Sequence, residues 1–167
     1  MKLVVTDTNV FIDLMDVDAL AAFFALGFEV HTTDFVINEL SADQQALLLP
    51  FRGIGQLVVA RFTDEQVSAF EVMPTKVSIQ FTDRSVIFLA TELRGMILSG
   101  DGNLWKECKA RKLEVHGTIW LVEELWSKRL IPAVSCIERL ESLKKLNTRL
   151  PKDKIDALIQ KIRSQKS

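Results

Sequence analysis

The stretch VVTDTNVFIDLMD, residues 4–16, passes from β-branched residues through Asp7-Thr8-Asn9 into an apolar-periodic segment. β-Branched runs favour strands, and short polar residues ahead of apolar periodicity favour the start of a helix. The spacing therefore predicts a strand ending at Asp7 and a helix beginning beside it. Asp7 then has two readings: the cap of that helix, or a carboxylate left free at a strand end. Asp13, Asp16 and Asp18 fall further along and read as solvated helix residues.

The same alternation continues along the chain. Residues 18–26 have helical spacing and stop at Gly27, 28–32 read as a strand, and Thr33-Asp34 can cap a helix through 35–40. Residues 43–53 are helical until Pro50 or Gly53, 56–62 form a strand, and Thr63 with Gln66 makes a capping box for 63–73. Thr82 reads as the N-cap of a helix ending at Gly95, followed by strand 96–100, helix 103–113 and strand 113–117. Helical patterns at 118–130, 132–146 and 151–164 complete the chain. Strand–helix alternation at this pitch implies βαβ units: a mostly parallel sheet of about five strands with helices on both faces. Strand signals cease near residue 130. We therefore expect one domain over 1–130 and a helical extension over 131–167, packed on it or projecting from it.

The 167 residues are 48% hydrophobic and 26% charged, the balance of a globular domain with a sizeable core. The start MKLVVTDTN has neither the shape of a signal peptide nor that of an anchor, and no apolar run approaches the roughly 18 residues of a membrane span. A cytoplasmic protein is expected. Cys108 and Cys136, with no short-spaced partner, make neither a zinc site nor a disulfide framework and read as free thiols. Net charge is −1, without the global basic signature of many nucleic-acid binders. The distribution is uneven, however. Residues 1–138 carry 12 Lys and Arg against 19 Asp and Glu, and residues 139–167 carry 9 against 3. Such a tail reads either as a phosphate-facing surface or as a solvated charged helix.

In open α/β sheets ligands bind beyond the carboxyl ends of the strands. Asp7 follows the first strand, Asp101 follows strand 96–100, Asp83 opens the helix capped by Thr82, and Glu39 lies on the helix after strand 28–32. Each alone is ordinary: a cap, a turn residue, a helix-dipole partner or a surface acid. Together they converge on one edge of a parallel sheet. Carboxylates at close range raise one another's pKa, and only Arg84 adjoins any of them in sequence, so a divalent cation is the natural neutraliser. All-oxygen donors without a His or Cys pattern point to Mg²⁺ or Mn²⁺. Such ions equip carboxylates for phosphodiester hydrolysis.

These residues resemble the PIN-domain family of metal-dependent nucleases. The resemblance lies in VVTDTNVFIDL, FVINEL, FTDRSVIFLATE and ILSGDGNLWK, in that order, across roughly residues 1–130. It implies a Rossmann-like three-layer α/β/α sandwich, an acidic pocket for Mg²⁺ or Mn²⁺, and cleavage of RNA, often as the toxin of a toxin–antitoxin pair. Asp7, Glu39, Asp83 and Asp101 would be the metal-site acids, with Asn9 orienting Asp7 and Thr82 in a similar part beside Asp83. Where family members often carry a further acid or polar group after the fourth acid, this chain has the neutral Asn103. That departure bears on a second metal ion and keeps an alternative in view: a weak or inactive domain that binds RNA or protein. His31 and His116 read as packing residues within strands. Trp105 reads as core or groove packing ahead of base stacking. The helix at 118–130, apolar on most of its circumference with Trp120 and Trp126, is either strictly buried or a partner surface. A homodimer is expected, and an antitoxin protein would be the second partner.

Overall fold

The computed structural model describes residues 1–165. Its elements run β1 (Leu3–Thr6), α1 (Thr8–Asp16), α2 (Leu20–Phe24), β2 (Glu29–Thr33), α3 (Asp34–Glu39), α4 (Ala42–Gly53), β3 (Leu57–Ala60), α5 (Asp64–Glu71), α6 (Phe81–Leu93), β4 (Met96–Leu98), α7 (Gly102–Ala110), β5 (Val115–His116), α8 (Thr118–Ser127), α9 (Ala133–Leu146) and α10 (Lys152–Ser164). The five strands form one parallel sheet in the order β3-β2-β1-β4-β5. Val5 pairs with His31 on one side and Ile97 on the other, which makes β1 the central strand. Val4, Val5, Ile97 and Leu98 are fully buried, as parallel strands covered on both faces require.

The chain order in space dictates where a site can form. It moves outward from β1 to β2 and β3, then crosses back to β4 on the opposite side of β1. Connections diverge at the carboxyl ends of β1 and β4, opening a crevice there. The ladder runs one residue past each strand: the Asp7 N–H donates to the Leu98 carbonyl at 2.9 Å, and the Ser99 N–H to the His116 carbonyl at 2.9 Å. Asp7 and Ser99 thus sit on rigid strand ends.

Two packings support that edge. On one face, α6 lies against β1, β2 and β4, and a phenylalanine cluster joins it to α3 and α5. Phe35 meets Phe81 edge-to-face at 4.9 Å, and fully buried Phe70 meets Phe62, Phe81 and Phe88 at 5.2–5.6 Å. This cluster fixes the two helices that carry Glu39 and Asp83. On the other side α1 packs with α2, α8 and α9, and α10 lies on α8 and α9. Leu140, Leu143, Ile155, Leu158 and Ile162 from α9 and α10 are buried in the same continuous core as the sheet.

Several local expectations are corrected. Asp18 takes a left-handed backbone (φ 53°), so the segment expected as helix from residue 18 becomes the shorter α2. Asp13 is buried rather than solvated. Its Oδ2 accepts from Thr118 Oγ at 2.7 Å and its Oδ1 from Asn147 Nδ2 at 2.9 Å, which ties α1 to α8 and to the end of α9. Thr82 is not an N-cap: α6 begins at Phe81, Gln80 is the cap, and the Asp83 carboxylate closes a capping box on the Gln80 N–H at 3.1 Å. Gly95 does not supply the left-handed residue that ends α6; Arg94 does (φ 54°). A Cβ at Gly95 would press on the Leu3 side chain, so glycine there serves the close approach of β4 to β1. Both cysteines are free and buried, and the Cys108 thiol is pushed up to about 12 by burial and then by Glu107.

Candidate functional site

Asp7 is the centre of the site. Buried at the end of β1, it caps α1 through an Oδ1 bond from the Thr8 N–H at 2.7 Å, and its Oδ2 accepts from Ser99 Oγ at 2.8 Å. Ser99 in turn accepts from the Asp101 N–H at 3.1 Å, so one hydroxyl links the first and fourth acids. Asp101 caps α7 through the Leu104 N–H, 2.8 Å from its Oδ1. Glu39, exposed at the end of α3, accepts from Thr8 Oγ at 2.7 Å, and that tethers it over Asp7. Asp83 reaches the same place from the first turn of α6.

The charges of the other site acids are felt at Asp7 and at Asp83. Burial pushes the Asp7 carboxyl up; bonds from Ser99 and Thr8 oppose this, and Glu39 and Asp101 push it further up. Asp83 is pushed up to about 7, first by burial, then by Asp7, with smaller contributions from Asp101 and Glu39. Arg84, the one cation beside an acid in sequence, turns away. It donates to the Phe70 and Met73 carbonyls and to Thr75 Oγ, and so closes the end of α5 instead of neutralising the site.

The supporting residues separate differently from expectation. Asn9 makes no hydrogen bond to Asp7; Ser99 and Thr8 brace that carboxylate. Among the described residues the Thr82 side chain has no hydrogen-bond partner, and only its carbonyl is engaged, by Ser85 Oγ. Asn103 is exposed and donates to the Ser78 carbonyl at 3.2 Å. It works with Glu107, buried on α7, which accepts from the Lys76 and Val77 N–H groups and from Arg111. Burial raises the Glu107 carboxyl, but those donors outweigh it and hold it below the usual range. Together they pin the loop that leads into α6 and hence place Asp83. Ser99 escapes a reading of the sequence because a serine after an apolar strand also reads as a turn former. The signal available is the S-x-D spacing with Asp101.

The donor set suits a hard divalent cation: four carboxylates, no imidazole or thiolate, and no basic side chain interposed. Among the described residues no group of three or more acidic, His or Cys side chains is already arranged to hold a metal ion.

A parallel α/β/α sandwich with convergent acids at its switch point defines a nuclease-type fold. The chain belongs to the PIN-domain family, whose model, described as a PIN domain, matches residues 3–164. The match runs through α9 and α10, well past the residues that carry the resemblance in the sequence. No curated protein matches the sequence. Members of the family are generally nucleases that use divalent metals. No helix among the described residues is long and apolar enough to cross a membrane.

Proposed function

We propose that this protein is an endoribonuclease dependent on Mg²⁺ or Mn²⁺. The observation that carries the reading is the placing of Asp7, Glu39, Asp83 and Asp101 at one strand edge, where burial first, and then the charges of Asp7, Asp101 and Glu39, push the Asp83 carboxyl up to about 7. Crowding like charges costs stability, and such an arrangement clusters at functional sites. A bound divalent cation would polarise the scissile phosphate and lower the pKa of the attacking water.

The chain's own residues supply the rest. Asp7, Glu39, Asp83 and Asp101 would hold the cation. Ser99 and Thr8 fix the rotamers of Asp7 and Glu39, so the donors are oriented before substrate arrives. Asp83 is oriented by the Gln80 N–H, which bonds its Oδ2 at 3.1 Å. Purified protein with Mn²⁺ should cleave single-stranded RNA, and Asp7→Asn should abolish it. A mutant as active as the wild type sinks this assignment.

The proposal extends to a toxin that arrests growth when expressed without an antitoxin protein; arrest that persists in Asp7→Asn counts against it. The competing reading, a binding module without catalysis, draws on the neutral Asn103. Calorimetry separates the two, because a vacated pocket takes up no Mn²⁺ through these carboxylates. As for the homodimer, α8 offers little free surface: Leu121, Val122 and Leu125 are buried within the chain. Exposed apolar side chains lie instead at Leu47, Leu49 and Ile54 on and after α4 and at Val58 on edge strand β3. A dimer in solution should therefore be broken by charge at Leu49 and not by substitution on α8.

A further inference from the structure

Next to the acids lies a cavity of about 590 Å³ that none of the site chemistry uses. It is framed by the ends of β4 and β5, the starts of α7 and α8, and α10 with the loop before it. Ser99 belongs to both places: its hydroxyl holds Asp7, and its carbonyl, on the cavity wall, accepts from Trp105 Nε1 at 2.6 Å. Gly100 and Gly102, on either side of Asp101, line the cavity. Neither needs to be glycine for its backbone or for packing, since a Cβ at either position would meet nothing within 4 Å.

The walls and rim differ in character. Trp105, Ile119, Trp120 and Leu158 make apolar walls. Trp120 is held by stacking on His116 at 4.0 Å, so the wall is preformed. On the rim Arg149 and Lys154 have no carboxylate partner among the described residues. The one acid of the lining, Glu123, is already neutralised by Lys161. A cavity of this size, apolar inside with cations at its mouth, suits a planar base carrying a phosphate.

We propose that this cavity seats a nucleotide of the single-stranded RNA next to the scissile phosphate, its base between the apolar walls and its phosphate at Arg149 and Lys154. This rests on the nuclease reading for the identity of the ligand. Part of the basic tail thereby gains a role, because α10 and the preceding loop form a substrate wall beside the acids. The cations of the rim also offset the repulsion that those acids exert on an incoming polyanion.

The test is binding, kept apart from cleavage. Asp7→Asn protein is titrated with a single-stranded random octaribonucleotide while tryptophan fluorescence is followed. Ala157→Phe, on the exposed side of α10 and facing the cavity, should fill it and weaken binding at least about tenfold, the value of stacking one base. Arg149→Glu with Lys154→Glu should also weaken binding and flatten the slope of log K against log salt by about 0.7 for each phosphate released from the rim. This second variant leaves the core untouched should the first fold poorly. Val72→Phe, exposed and outside the cavity, should bind like its parent. If both cavity variants bind the octamer as tightly as their parent, the subsite is refuted and the nuclease reading stands; a cavity built for a protein side chain gives this result. If the cavity variants lose binding but wild-type protein cleaves nothing with Mn²⁺, the subsite stands and the nuclease reading falls. If the octamer binds nowhere, both fall.

Discussion

Asp7 and Asp13 are six residues apart on one strand–helix segment, both are buried, and both have carboxyls raised by that burial. Their surroundings differ. Asp13 meets a hydroxyl and an amide, from Thr118 and Asn147, and each carboxylate oxygen has its donor. Asp7 also has two donors, yet behind them stand Glu39, Asp83 and Asp101. One aspartate is a fastener joining three helices. The other is part of a concentration of like charge that a proton or a bound cation would relieve. Asp13 has one acid near it, Asp16, whereas the Asp7 edge gathers three, and that difference in number is what separates a fastener from a candidate site.

The largest effect should separate the two directly. Asp7→Asn removes a charged donor worth several kcal/mol in the transition state and should lower kcat for RNA cleavage by at least about a thousandfold, measured with saturating Mn²⁺. Asp13→Asn should leave cleavage within about twofold of wild type. Equal losses in the two would erase the distinction.

Ser99→Ala comes next. It leaves Asp7 unbraced and the Asp101 N–H without its acceptor, and should reduce Mn²⁺ affinity or activity by about 10- to 100-fold. Asn9→Ala, which disturbs no bond to Asp7, should move neither. Titration of Mn²⁺ against both variants reads the difference.

Asp13→Ala strands a buried hydroxyl and the Asn147 amide, at a cost of about 1–3 kcal/mol in urea unfolding. Its effect should be on stability, with loosening of α9 visible in hydrogen exchange.

The smallest effect is in pH. The Asp83 carboxyl titrates near 7 in the fold and near 3.8 when unfolded. Between those values the folded state holds the extra proton, so stability without metal falls as pH rises through this window. Melting followed from about pH 5 to pH 8 should show that decline. Asp83→Asn should flatten it, and Mn²⁺ should raise Tm more at the alkaline end. A wild-type melting curve independent of pH would show that neither burial nor the neighbouring acids raise the Asp83 carboxyl in the fold.

Much of the fold is legible in the sequence because parallel strands and their helices leave strong local marks. The β-branched runs at 3–6 and 29–33, the Thr63–Gln66 box and the cap at Thr33 all lie where residue chemistry puts them. The four acids are legible as a set, since strand ends in this topology share an edge. What fails is local competition. Thr82 is the better intrinsic cap, but packing of Phe81 in the phenylalanine cluster begins the helix earlier and hands the cap to Gln80. Asp13 looks solvated by residue type, although Val10, Phe11 and Leu14 around it are all buried. Its partners come from residues 118 and 147, and no local pattern reports them. Ser99 and the orientation of Arg84 are hidden for the same reason: side-chain partnership is a long-range property.

The bond from Ser99 to Asp7 spans ninety-two positions. During synthesis Asp7 leaves the ribosome long before β4 exists, and it has neither its brace nor its fellow acids Asp83 and Asp101. The growing chain therefore lacks the assembled acidic edge until β4 and Asp101 have emerged. Competence comes with the closing of the β1–β4 pair, and the Asn147 amide then fastens the last helices onto α1. If the proposed RNA cleavage holds, the chain would be silent toward its own message until β4 has been made.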